Sequence, residues 1–144
     1  MSFIRITTIL WACFMLVAGC TASAHAFLYE QQISFSPNRA PDYFDLWITS
    51  DIHLTKEFYV IQKIGHIMAF SFLYLLVFRS TKKAGFSFLL CGIFAFLTEV
   101  MQLHFNRNGR FFDVGVDILG ILIIFVVCQT LRPVSVAEKS TYNT

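Results

Sequence analysis

The chain has 144 residues, of which 56% are hydrophobic, 17% aromatic and only 14% charged, and its mean hydropathy is +0.64. Soluble domains carry roughly 25% charged residues, so lipid rather than water is the solvent this composition suits, and the length fits one domain. A formal charge of +2 is too small to imply nucleic-acid binding, and no basic run supports it.

The first apolar run spans about residues 3–21 and is broken only by Arg5. That length crosses a bilayer core, which takes about 20 apolar residues. Val17-Ala18-Gly19-Cys20 is similar to a lipoprotein processing site. Because further spans follow, an uncleaved first helix is the simpler expectation. Residues 22–57 are mixed, and Pro37, Asn38, Pro41 and Asp42 break any spanning helix there. Tyr43, Phe44 and Trp47 suit a loop or short helix at headgroup level, where amphipathic rings gather. His25 and His53 are read as solvent-side histidines.

Three more spans are expected at about residues 58–78, 84–103 and 113–131, with a basic turn at Arg79–Lys83. The loop from His104 to Phe112 is polar, and a polar tail occupies 133–144 after Arg132 and Pro133. The predicted fold class is an all-α membrane protein: a bundle of four transmembrane helices with a longer extracytoplasmic loop between the first and second. Arg5, Arg79, Lys82, Lys83, Arg132 and Lys139 fall on one side, and Arg39, Lys56, Lys63, Arg107 and Arg110 on the other. The first side leads by one charge and holds the tight basic turn, which places both termini in the cytoplasm. Cys13, Cys20, Cys91 and Cys128 all lie in apolar runs without ligand spacing, and are read as packed or lipid-facing thiols.

Charged groups inside such spans are costly, at least about 2.5–3.5 kcal/mol each on insertion scales, and so mark function. Lys63 and His66 are three residues apart, Glu99 and Gln102 three, and Asp113 and Asp117 four, so each pair shares a helix face. With alternating span directions, all six lie within about 12 Å of the outer helix ends at 1.5 Å per residue. Three helices thus deliver polar groups to one level, with Arg110 and, secondarily, Arg107 on the loop above. Arginine grips phosphate and carboxylate through paired hydrogen bonds. Gly115 and Gly120 would let a neighbouring helix approach closely. His104 and Gln62 are read as interfacial. His66 with two acids offers metal-ligand chemistry, but no HExxH or similar pattern accompanies it, so no metal and no cofactor are expected.

The segments Lys63-Ile64-Gly65-His66, Glu99-Val100-Met101-Gln102 and Arg110…Asp113…Asp117…Gly120 resemble the VanZ-like family of small bacterial membrane proteins. Members show Lys-x-x-His opening one span, Glu-x-x-Gln ending the next, an Arg-bearing loop, and Asp-x-x-x-Asp opening the last. The likeness covers about residues 58–125. This chain has Thr98 where many members carry an acid, Asn108-Gly109-Arg110 where many read Pro-Gly-Arg, and Thr21-Ala22-Ser23 as a partial counterpart of Ser-x-Gln. The family is named for resistance to the lipoglycopeptide teicoplanin. The resemblance implies a multi-pass protein of the bacterial cell membrane, tied to the envelope and to glycopeptide tolerance. Its implied partners are the bilayer and a lipid head group or lipoglycopeptide.

Three functions compete. In the first, Arg110 and Arg107 hold the anionic part of an envelope molecule at the outer leaflet while His66, Glu99 and Asp117 bind or exchange protons. In the second, the chain is a membrane-embedded hydrolase or transferase acting on a lipid-linked substrate; no Ser, Cys or Thr nucleophile stands in a recognisable arrangement. In the third, it is a structural subunit whose polar groups join helices. Polar groups at only one level argue against transport.

Overall fold

The computed structural model describes residues 3–50 and 55–131. The polar tail at 133–144, the closing Arg132 and Pro133, and His53 lie outside the described residues. Among the described residues five α-helices occur in the order α1 (Phe3–Cys20), α2 (Ala24–Tyr29), α3 (Glu57–Thr81), α4 (Ala84–Leu103) and α5 (Phe111–Thr130), and a 3-10 turn at Tyr43–Trp47 precedes α3. There is no strand among the described residues. Helices α1, α3, α4 and α5 are each long and apolar enough to cross a membrane.

The distribution of side chains is that of a protein solvated by lipid. Ile9, Leu10, Ile64, Met68, Leu89, Leu97, Leu122 and Val126 point outward, whereas Glu99, Asp113, Asp117, Gln102 and Ser87 are buried. In water this arrangement would expose the apolar groups and hide the charges, the reverse of what solvation favours. In hydrocarbon it satisfies both. Inside, Phe70, Leu73, Tyr74 and Val77 of α3 pack with Met15, Cys91, Ala95, Val114 and Ile121. All four cysteines are free; Cys20 and Cys91 are buried and Cys13 is exposed.

The α3–α5 interface is the most extensive, and Gly120 makes it possible. A Cβ at Gly120 would collide with the carbonyl oxygen of Ile67 and stand 3.0 Å from its Cα. At the same place Ser71 Oγ donates to the Gly120 carbonyl at 2.8 Å. Gly115 does not share this role: nothing lies within 4 Å of its would-be Cβ. The two glycines are five residues apart, which puts them on different faces of a 3.6-residue helix.

The first helix leans on α3 through Trp11, whose Nε1 donates to the Ala69 carbonyl at 3.1 Å while its ring meets Phe72 edge-on at 4.9 Å. Trp11→Phe keeps the ring contact and removes the hydrogen bond. It should lower stability in mixed micelles by about 0.5–1.5 kcal/mol, read from equilibrium unfolding.

The expected basic turn at Arg79–Lys83 is shorter than its charges suggest. Helix α3 runs on through Arg79 and Ser80 and stops only at Thr81, where Lys82 adopts a left-handed conformation (φ 59°) and its N–H donates to the Phe78 carbonyl. The next helix is tied in at once: Thr81 Oγ1 and Ser87 Oγ are 2.7 Å apart, and Ser87 Oγ donates to the Lys83 carbonyl at 2.8 Å.

The connection between α1 and α3 folds over the opposite end of the bundle. Asn38 N donates to the His104 carbonyl at 2.7 Å, and Asn106 Nδ2 donates to Ser36 Oγ at 3.0 Å. Tyr43 OH and His104 Nε2 stand 3.2 Å apart. Leu46 is buried, and Trp47 packs on Phe111 at 4.6 Å between ring centroids. The aromatic stretch at Tyr43–Trp47 therefore covers the α4–α5 loop.

Candidate functional site

Helices α3 and α5 are joined by two polar rungs one helical turn apart. In the upper rung Lys63 Nζ meets Asp113 Oδ1 at 2.6 Å, and Lys63 also lies over the Tyr59 ring at 4.5 Å. In the lower rung His66 Nδ1 meets Asp117 Oδ1 at 2.9 Å, with Asp117 wholly buried. The spacings three on α3 and four on α5 make the rungs stack, because each step is about one turn of 3.6 residues. Helix α3 begins at Glu57, so His66 lies nine residues in, about 14 Å at 1.5 Å per residue.

The third helix brings Glu99 to the lower rung. Its carboxylate is 0% exposed, with Oε1 accepting from Gln102 Nε2 at 2.9 Å and Oε2 from the backbone N–H of Arg110 at 3.0 Å. That second bond fixes the start of α5, because Arg110 is its N-cap and has no side-chain cap of its own. Gly109 makes it feasible: a Cβ there would run into the Glu99 carbonyl oxygen and lie 3.4 Å from Leu103 Cγ. His66, Glu99 and Asp117 offer ligand atoms that all lie within 4.8 Å of one another.

The two arginines fasten different segments. Arg110 is 9% exposed, and its Nη1 donates to the Asp45 carbonyl at 2.9 Å, fastening the covering segment to the bundle. Arg107 Nη1 donates to the Thr21 carbonyl at 2.7 Å and so holds the end of α1. Burial pushes the Arg107 guanidinium below its ordinary value, and the negative charge of Glu99 pushes it back up. It remains a cation at any physiological pH.

Above the upper rung lies a cleft of about 360 Å³ lined by Tyr59, Gln62, Lys63, Arg107, Asn108, Arg110, Asp113 and the small residues Ala22 and Ala24. Three cations against one carboxylate make its polar wall positive. Lys63, Arg107, Arg110 and Asp113 therefore meet at the cleft, and His66, Glu99, Gln102 and Asp117 meet beneath it. Sequence reasoning passed over Tyr59, named Asn108 and Ala22 only as parts of motif counterparts and not as site residues, and read Gln62 as interfacial. Tyr59 lies four residues before Lys63 on α3, and Gln62 four before His66, so helical spacing offered a signal for each. Nothing in the sequence links Ala22 to Arg107, since their proximity depends on how the connection after α1 folds.

Four apolar helices enclosing ion pairs and a buried carboxylate define a multi-pass α-helical membrane protein with a polar site at one end of its bundle. The chain belongs to the VanZ/LLP1 family, which it matches over residues 5–132. It is 33% identical over 115 residues, 80% of this chain and 82% of the relative, to the uncharacterized membrane protein YwnJ of Bacillus subtilis (strain 168). No solved structure gives a significant match.

Proposed function

We propose that this VanZ-like protein binds the anionic head group of an amphiphilic envelope molecule in the cleft at the polar end of its bundle, at the outer leaflet of a bacterial cell membrane. The observation that carries the reading is the cleft itself, where Lys63, Arg107 and Arg110 converge beside helices whose outer faces are apolar. A head group seated there would meet three cations while its acyl chains stay in lipid along Ile61, Ile64 and Met68. The basic residues Arg79, Lys82 and Lys83 at the other end support an orientation with that end in the cytoplasm. Teicoplanin, for whose resistance the family is named, is an amphiphile of the same broad kind, and tolerance to it fits capture of such molecules.

The experiment is binding of short-chain phosphatidylglycerol against phosphatidylcholine by the purified protein in neutral micelles. The anionic lipid should bind more tightly. Arg107→Gln and Lys63→Gln should each weaken it about 10- to 100-fold, as loss of a charge-assisted hydrogen bond worth roughly 1.5–3 kcal/mol requires. Equal affinity for both lipids, or variants that bind as the parent does, would refute the reading. In cells, Glu99→Gln at normal protein level should reduce tolerance to an acylated glycopeptide.

A further inference from the structure

We propose that His66, Glu99 and Asp117 form a binding site for one divalent transition-metal ion, of which Zn²⁺ is the type, in the lower rung of the bundle. Its ligands lie one turn deeper than the side chains that line the cleft. Glu99→Gln would perturb both sites, so the substitutions that tell them apart are those at His66 and Asp117 on one hand and at Lys63 and Arg107 on the other.

The geometry comes first. One imidazole and two carboxylates, each from a different helix, present ligand atoms within 4.8 Å of one another. Ligands bonded to zinc at about 2.0–2.2 Å stand roughly 3–4 Å apart, so small side-chain movements suffice. The two carboxylates are 0% exposed, and ionised they sum to a charge that a dication balances.

The second observation is independent of the clustering. Asp117 Oδ1 is engaged by His66, but Asp117 Oδ2 is buried without a hydrogen-bond partner, the one such side-chain atom among the described residues. An orphaned carboxylate oxygen in a dry interior costs several kcal/mol unless something positive reaches it. Lys63 is committed to Asp113 at 2.6 Å one turn above. A bound cation would satisfy the orphaned oxygen.

The third is the support around Glu99. Gln102 Nε2 and the Arg110 N–H each donate to one of its oxygens, leaving further lone pairs while fixing the carboxylate plane. Metal-binding carboxylates are held by outer donors in this way. A mixed nitrogen and oxygen set favours Zn²⁺, Mn²⁺ or Fe²⁺ over Mg²⁺ and Ca²⁺, which prefer oxygen alone. Three protein ligands leave a coordination position open. The ion would sit about one turn, near 5.4 Å, below the cleft residues Lys63 and Asp113. The ligands span 52 positions of sequence, from 66 to 117 inclusive, which is why no local motif announces them.

The test uses the full chain in nanodiscs of zwitterionic lipid, stripped with a chelator and titrated with ZnCl₂ or MnCl₂ alone. Bound metal is counted by mass spectrometry and affinity by calorimetry. One ion per chain is expected, with His66→Ala and Asp117→Asn each weakening binding about 100-fold or more, as loss of one ligand of three implies. Arg107→Gln and Lys63→Gln should retain the metal, which separates this outcome from failure of the head-group reading. Co²⁺ gives a second readout that needs no variant: visible absorption from a low-coordinate site with a nitrogen ligand supports the assignment, and its absence from folded protein overturns it. A wild-type protein that stays metal-free at saturating Zn²⁺ and Mn²⁺, or binding that survives the ligand substitutions as an adventitious ion only, also overturns it.

Discussion

Gly120→Ala should be among the most damaging single-methyl additions in this protein, and Gly115→Ala, five residues away on the same helix, should be harmless. A methyl group at Gly120 meets the backbone of Ile67, which cannot rotate away, and pushing α3 off α5 would also stretch the 2.8 Å bond from Ser71 Oγ. Overpacking of a core costs about 1–3 kcal/mol, and a backbone collision belongs at or above the top of that range. At Gly115 the added methyl enters open space. Alanine is better than glycine in a helix interior by up to about 1 kcal/mol, so that variant should equal or exceed the parent. Unfolding midpoints in mixed micelles decide it; equal midpoints for the two variants would show that the α3–α5 contact is not as close as described.

His66→Leu should be the next most destabilising change, and the double variant His66→Leu/Asp117→Leu should recover most of the loss. Removing the imidazole alone leaves Asp117 wholly buried with neither oxygen paired, a change that typically costs about 3–5 kcal/mol. Removing both groups leaves an apolar contact suited to the surrounding bundle. The double variant also separates structure from function. If the polar groups serve only to join helices, the doubly substituted protein should behave as the parent in every assay. If the rung binds a ligand, it should fold and yet be inactive. Measuring both unfolding and ligand binding on the same four proteins of the cycle distinguishes the two.

The positions of the polar pairs were legible because helical spacing and membrane depth are both linear in sequence. Lys63 with His66, Glu99 with Gln102, and Asp113 with Asp117 could be put on shared faces and at one height before any fold was known. What meets what across helices was not legible in the same way. Gly115 and Gly120 look equivalent as letters, but their angular positions on α5 decide that only the second faces α3. That α3 ends at Thr81 and not at Phe78 is set by a left-handed Lys82, a conformation that a lysine seldom signals. Least visible was the fold of the connection after α1. Its docking rests on long-range backbone bonds, such as Asn38 N to the His104 carbonyl and Arg110 Nη1 to the Asp45 carbonyl, which leave no periodic trace. The cleft owes Ala22 and the placement of Arg107 to that docking.

Solid-state NMR of the protein in bilayers, labelled so that the His66 ring nitrogens and the Asp117 and Glu99 carboxyl carbons are resolved, tests the meeting of the three helices most directly. A strong dipolar contact between His66 Nδ1 and the Asp117 carboxyl carbon is predicted, as the 2.9 Å nitrogen–oxygen separation demands, with a weaker one to Glu99. Contacts from the His66 ring to lipid acyl chains, with none to either carboxyl group, would contradict it.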